Sequence, residues 1–295
     1  MPPTIQVAHV QGFHNGFYSL AQQRQSRLMR YVRTDGEIKG KWAWFQRLGS
    51  IEMIKRTSRH QDTNLVDNPH SRRGCSMDDY EVGDLIDPQD LHKLLDDPQN
   101  AYVRNSVWAR NRQIDRTILD AVNGKAVSAD EFDAQTSNAL PAAQKVVAGG
   151  VGLTLQKLMD AREILHSADA VMPEDEEELP FVISSKQMDD LLGVTEVKSI
   201  DYNDGKALVK GRVAHFMGFI FIEISKKLLS TDAAGARLCR CWLPSAIGFR
   251  APDGEGTTSV DKRADKGNSI QVLAQLTDGA VRIEDAAVVE IACVE

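Results

Sequence analysis

The pattern of apolar and polar positions changes character several times along the chain. Positions 1–30 are rich in Gln, His and Gly and hold no sustained period, so they predict a polar arm with too few apolar residues to fold alone. Positions 31–78 predict extended structure: Tyr31-Val32-Arg33 leads into the turn residues Thr34-Asp35-Gly36, and an alternating stretch runs from Lys41 to Gly49. Trp42, Trp44 and Gln46 share one face of that strand, and Lys41, Ala43, Phe45 and Arg47 share the other. Both faces are mixed, which fits no simple core strand. Pro69 bars a central strand further on. The segment has too few aliphatic residues for a core of its own. It reads as a long hairpin-like loop that finds its surface on something else, and loops of that length are functional or disordered.

A helix follows. Asp97 suits an N-cap and Pro98 the first helical position, and Asn123-Gly124 supplies a stop. Val103, Val107, Ile114 and Ile118 form one stripe, flanked by Trp108, Leu119 and Val122. About 25 residues at helical rise give ~38 Å. Beyond it, 125–140 reads as a polar loop and Gln144 starts a short strand. A glycine-rich turn precedes a helix over 153–167, and an acidic loop spans 172–180. Strands are predicted over 181–184, 218–224 and 238–243, with a short helix over 185–192. A polar loop over 251–267 precedes two closing strands, 268–276 and 279–293. Helices and strands alternate irregularly and no repeat is visible, so the fold class is α+β rather than a doubly wound sheet.

Composition bounds the function. At 295 residues the chain has room for about two domains. With 42% apolar and 26% charged residues it can bury a core. A net charge of −7 argues against a wholly basic nucleic-acid binder. No apolar run reaches membrane-span length, and the N-terminus predicts no signal peptide. The charge is unevenly placed, however. Residues 1–77 hold 12 Lys/Arg against 5 Asp/Glu, and the remainder carries the opposite surplus. A basic quarter on an acidic body predicts contact with something acidic, either nucleic acid or another copy of the chain. Trp42, Trp44, Phe45 and Arg47 could stack on single-stranded nucleic acid or pack against protein, and the acidic body favours packing.

Candidate catalytic motifs fail one by one. The four cysteines form no C-x-x-C pair and none stands at zinc-finger spacing from a histidine, so idle buried thiols are expected. Gly149-Gly150-Val151-Gly152 sits between a strand and a helix as a dinucleotide loop would. Leu155 occupies the third glycine position, and no Walker Lys-Ser/Thr follows. Asp201 to Gly205 hints at a calcium loop, but its glycine comes one place early and Arg212 stands where a glutamate is needed. None of the seven histidines forms H-E-x-x-H, and G-x-S-x-G is absent. No enzyme activity, cofactor or metal is expected.

The order of the remaining motifs carries a resemblance. Ser58 to Thr63 with Asn64 to His70 resembles an R-H-G-D-T…N…H stretch, with Gln61 in the glycine position. Asp79-Tyr80-Glu81 with Asp84-Leu85-Ile86-Asp87 resembles D-Y-x-x-x-D-x-I-D. Asp97-Pro98 to Tyr102, then Trp108-Ala109-x-x-Arg112-x-x-Asp115, resembles the start of a spine helix. Gly211-Arg212 with Phe216 to Phe219, and Arg282 to Ile291, resemble later blocks. In this order they resemble the major capsid protein of tailed bacteriophages, the Hong Kong 97-type fold. The resemblance implies an N-terminal arm (1–30), an extended β-hairpin loop (31–78), and a peripheral domain with a long spine helix (79–140). It also implies an axial domain (141–235) and peripheral return strands (236–295).

Its functional implications are a structural subunit that assembles as pentamers and hexamers into an icosahedral head enclosing double-stranded DNA. Assembly would occur in the host cytoplasm and the product would be the virion. Implied partners are other copies, separate scaffolding and portal proteins, decoration proteins in some heads, and DNA through weak non-specific contact; no membrane is involved. A phage-derived nanocompartment shell and, further off, a nucleotide-binding enzyme are the alternatives. Candidate inter-subunit residues in the loop are Trp42, Trp44, Arg47, Lys55, Arg56, Arg59, Arg72 and Arg73. The candidate residues of the spine helix itself are Arg104, Trp108, Arg112 and Asp115.

Overall fold

The computed structural model describes residues 20, 22–34, 40–59, 61–91, 99–129, 135–168, 170, 178–194, 208–209, 212–252 and 256–295. The first elements are β1 (Trp42–Leu48), β2 (His70–Ser76), β3 (Asp78–Ile86), α1 (Pro88–Leu91), α2 (Gln99–Asn123), β4 (Ala126–Ala129) and β5 (Gln135–Asn138). Next come β6 (Lys145–Val146), α3 (Leu155–Ser167), β7 (Leu179–Ile183), α4 (Ser185–Gly193), β8 (Leu208–Val209) and β9 (Arg212–Val213). The chain closes with β10 (His215–Phe216), β11 (Phe219–Glu223), β12 (Arg237–Trp242), β13 (Ile247–Arg250), β14 (Thr257–Arg263), β15 (Ser269–Arg282) and β16 (Val288–Cys293). It divides into two compact units, one within Met1–Gln25, Tyr80–Arg112 and Glu255–Leu276, the other within Ser26–Asp79, Gln113–Gly254 and Thr277–Glu295.

The second unit is organised by a six-stranded sheet in the order β10-β11-β7-β12-β16-β6. Every residue of β7 and β16 is buried, as expected for strands covered on both faces. Odd-numbered positions on one face (Phe181, Phe219, Cys239, Cys241, Val289, Ile291) pack with Leu158, Ala161 and Leu165 of α3 and with Met188 and Leu191 of α4. Phe181 meets Phe219 edge-on, with ring centroids 5.3 Å apart. Both helices start on side-chain caps. Thr154 accepts from the Lys157 amide at 3.4 Å, and Gln187 Oε1 accepts from the Ser184 amide at 3.1 Å. Lys157 is buried, and its Nζ donates to the carbonyls of Ala148, Val151 and Ala292 at 2.8–2.9 Å.

A second sheet, β1-β2-β4-β5, forms the base of the hairpin. Its inward face carries Ala43, Phe45, Cys75 and Ala126, packed with Val281 and Ile283. Gly248 of β13 is the floor beneath Phe45: a Cβ there would stand 2.5 Å from the ring. Gly248→Ala should therefore cost about 1–3 kcal/mol through forced repacking. Thermal unfolding of the unassembled subunit reads that loss, and an unchanged midpoint would reject the close packing.

The first unit is built on β14, the 269–275 part of β15, β3 and the 99–112 part of α2. β14 and β15 pair from Thr257↔Gln275 to Arg263↔Ser269, and β3 pairs with β15. Val272, Ala274, Leu276 and Ile86 are buried here. Arg110 donates to the Gly256 carbonyl at 3.1 Å and to Thr258 Oγ1 at 3.3 Å.

The structure alters several sequence expectations. The 125–140 loop contains β4 and β5, and the 251–267 loop contains β14. Their solvent faces carry Ser, Thr, Gln, Asp and Lys, which hides the alternation. The two closing strands divide elsewhere: β15 runs unbroken through Thr277-Asp278-Gly279, and the break comes between Arg282 and Val288. Asp278 there is buried, and a Cβ on Gly279 would stand 2.4 Å from the Ser76 carbonyl, so these residues serve a close crossing rather than a turn. The apolar stripe of α2 is fully buried only from Ile114 onward. The cap residues Asp97 and Pro98 and the 201–207 part of the calcium-like loop lie outside the described residues.

Candidate functional site

β1 is a period-two strand, and that decides what its hairpin offers. Trp42 and Trp44 lie on the face opposite Phe45 and stack with ring centroids 5.8 Å apart and planes 18° apart. Arg72 on β2 lies over Trp44 at 5.1 Å, and Gly74, in register with Trp44, leaves room for its indole. This gives a flat aromatic surface edged by a guanidinium.

The neighbouring arginine is different. Arg73 points inward, is 4% exposed, and its Nη2 meets Asp285 Oδ2 at 2.7 Å. Asp285 Oδ1 in turn accepts from Arg282 Nε at 2.6 Å. Arg47 donates to Ser71 Oγ at 2.7 Å and to the Ile283 carbonyl at 3.0 Å. Arg73 and Arg47 are thus committed within their own chain. The outward group comprises Trp42, Trp44 and Arg72, with Lys55, Arg56 and Arg59 on the exposed loop.

That loop, from Gly49 to Pro69, holds no strand among its described residues. Leu48, Ile51, Met53, Ile54 and Leu65 are all more than half exposed. Arg56 bonds locally, its Nε donating to the Ser58 carbonyl at 2.9 Å, and Gln61 Oε1 accepts from the Thr57 amide at 3.0 Å. The expectation that the first quarter finds no core on its own chain is corrected by the rest of it. Leu28, Tyr31 and Val32 are buried, Arg33 bridges to Gly248, and Trp242 Nε1 donates to the Tyr31 carbonyl at 2.8 Å. The reason is main-chain pairing, which needs few aliphatic residues.

Three of the four candidates on α2 hold residues 22–28. In the first unit Arg24 lies over Trp108 at 5.3 Å, and Arg112 donates to Gln22 Oε1 at 2.8 Å. In the second, Asp115 is fully buried and accepts from Ser26 Oγ at 2.6 Å and from the Arg27 and Leu28 amides at 3.1 and 3.2 Å. Arg104 is exposed.

Sequence reasoning missed the C-terminal clamp of α2. Arg282 is fully buried and donates to the carbonyls of Val122, Gly124 and Asn138 at 2.7–3.0 Å. Arg240, 2% exposed, donates to the Leu119 carbonyl at 2.8 Å. Two guanidiniums thus sit on carbonyls of and just beyond the helix's last turns, the unpaired one of Val122 among them, and oppose the negative end of its dipole. An arginine set inside an apolar strand run, as in Cys239-Arg240-Cys241, was the available signal.

The alternative chemistries find little footing. All four cysteines are buried, and burial pushes Cys75 up to about 11 and Cys241 up to about 12, so both stay as thiols at neutral pH. The glycine turn is occupied by the chain's own anion: a Cβ on Gly152 would stand 2.3 Å from Asp190 Oδ2, which accepts from the Leu153 amide at 3.1 Å. A carboxylate in that position repels phosphate.

Comparison with known proteins completes the picture. The family model for phage capsid protein matches residues 5–295. No curated protein matches the sequence. Among solved structures, the capsid structure of the cyanophage P-SCSP1u is similar at a TM-score of 0.71 and 15% identity, covering 99% of this chain and 94% of that one. A structure from Mycobacterium phage Che8 is similar at 0.68 and 14% identity, covering 96% of each chain. The capsid of cyanophage Pam1 gives 0.69 and 13%, covering 97% of this chain and 96% of that one.

Proposed function

The chain belongs to the phage capsid protein family, a structural major capsid protein, and on that premise we propose that its copies assemble as pentamers and hexamers into an icosahedral head around double-stranded DNA. The observation that carries this reading is the loop of residues 49–69. Its base is anchored in the chain's own sheet, while its apolar residues and Lys55, Arg56 and Arg59 stand in solvent. A monomer gains nothing from that exposure; a neighbour in a closed lattice covers it.

On this reading the loop contact residues are Trp42, Trp44, Arg72, Lys55, Arg56 and Arg59, resting on an acidic surface of the next copy. Arg104 is the spine-helix residue that faces outward. The axial domain spans 141–235, and 79–140 with 236–295 forms the peripheral domain. Residues 1–30 are the arm and 31–78 the loop. Scaffolding and portal proteins are separate chains, and contact with DNA is weak because the body is acidic. Many moderate contacts, repeated by symmetry, hold the shell.

Reversing charge at Arg56 and Arg59 together to glutamate should lower particle yield by about tenfold or more at low salt while leaving the subunit folded, because complementary charge steers and registers the encounter. Electron microscopy and light scattering of the assembly reaction, beside circular dichroism of the subunit, read both effects. Normal yield and morphology would reject the electrostatic account.

A further inference from the structure

β3 is unusual among the strands. Its first eight residues are all exposed, on both faces, and only Ile86 is buried. Among the described residues it pairs with β15 along one edge and no second strand is paired with it. Residues 78–87 carry Asp78, Asp79, Glu81, Asp84 and Asp87 and no Lys or Arg. A nine-residue strand with an open edge is a template for another strand, and the acidic side chains set which strand it accepts. A second copy of β3 is rejected, since like charges would stand face to face.

The chain contains a segment of matching character. Residues 51–56 (Ile-Glu-Met-Ile-Lys-Arg) lie in no helix or strand and are exposed, and their amides make no main-chain hydrogen bond among the described residues. Ile51, Met53 and Ile54 are 54%, 103% and 60% exposed. In a strand Lys55 and Arg56 point to opposite faces, as do Met53 and Ile54. β3 offers the same arrangement: Glu81 and Asp84 lie on opposite faces, and so do Val82 and Leu85. Met53 and Lys55 thus share one face of 51–56 and Glu52, Ile54 and Arg56 the other, so the segment is net positive with apolar groups on both sides, against a strand that is acidic with apolar groups on both sides.

We propose that residues 51–56 of one copy add as a further strand to the open edge of β3 in a neighbouring copy. The main chain supplies the affinity, and Lys55 and Arg56 against Glu81 and Asp84 supply the orientation. This rests on the shell reading above and gives the loop contact a definite mode, main-chain pairing rather than side-chain packing alone.

Hydrogen exchange on the full chain, before and after assembly with its scaffold, tests the pairing. Alternate amides within 80–86 already face β15; the others are expected to slow by about tenfold or more on assembly, together with alternate amides of 51–56. Closed particles without new protection in 80–86 would overturn the pairing and leave the shell reading intact. Protection in 80–86 without any in 51–56 would also overturn it, since another segment then holds the edge. Failure to form particles at all would overturn both. Met53→Pro and Ile54→Pro give a second readout, with subunit folding checked by circular dichroism. Only one of these adjacent amides can face β3, so one variant should lose assembly by about tenfold and the other stay within about twofold. Equal effects would count against an added strand.

Discussion

Asp285→Ala is expected to destabilise the unassembled subunit by about 3 kcal/mol, lowering its thermal midpoint by roughly 6–12 °C. One carboxylate serves two interior cations. Arg73, whose side chain is 5% exposed, sits 2.7 Å from Oδ2, and Arg282, whose side chain is 0% exposed, sits 2.6 Å from Oδ1. Arg282 keeps three carbonyl partners when the carboxylate is removed. Arg73 keeps none for its Nη2, and its Nε and Nη1 are already buried without partners. An uncompensated guanidinium in the interior is the costly product, and deleting one partner of a buried pair costs about 3–5 kcal/mol. The lower figure applies because Asp285 is 23% exposed and water can enter the space it leaves.

The double variant Arg73→Met with Asp285→Ala should recover part of the loss, because no charge is then stranded. Urea or thermal unfolding of the single and double variants measures both terms. A single-variant loss below about 0.5 kcal/mol, the range of ordinary surface changes, would show that the pair carries no interior charge worth neutralising.

This clamp also marks how much of the molecule could be read from its residues. The 3.6-residue stripe over Val103, Val107, Ile114 and Ile118 announced the long helix, and the apolar runs at Phe181, Phe219 and Leu238 announced the central strands, because apolar residues there follow simple periods. Strands whose outer faces are polar, β3, β4, β5 and β14, left no such trace. The hairpin arginines failed for a different reason. Arg72 and Arg73 are adjacent on one strand, so alternation requires them to point opposite ways, and only pairing with β4 and packing against β15 decides which turns inward. Arg282 could not be assigned to the helix end from sequence, since the carbonyls it serves there, of Val122 and Gly124, lie more than 150 positions away. The order of short blocks along the chain was more informative about function than any side-chain constellation.

Asp278→Asn is expected to flatten the pH dependence of stability and to stabilise the subunit by about 2 kcal/mol at pH 8. Asp278 is fully buried; Oδ1 accepts from Thr117 Oγ1 at 3.2 Å, and Oδ2 has no hydrogen-bond partner. Burial pushes its carboxyl up, the Thr117 hydrogen bond offsets part of that rise and the charge of Asp78 adds a little to it, so that it stands at about 7. In the unfolded chain the same group ionises near 3.8. Between about pH 4 and pH 7 the folded protein therefore holds a proton that the unfolded chain has released. Stability falls as pH rises through that window, and the full penalty is present above it. Three pH units correspond to about 4 kcal/mol as an upper bound, since the surroundings relax around a charged group. An asparagine keeps an acceptor for Thr117 and cannot ionise, so the advantage of the variant over the wild type should be smallest near pH 4.5 and grow up to pH 8. Denaturant unfolding of both proteins at half-unit steps of pH gives the difference curve. A difference that stays constant from pH 4.5 to pH 8 would mean that Asp278 is ionised in the folded protein throughout. Ionisation should also loosen the crossing of β15 with α2, so hydrogen exchange near Thr117 should quicken between pH 6 and pH 8 in the wild type and not in the variant, once corrected for the intrinsic rate.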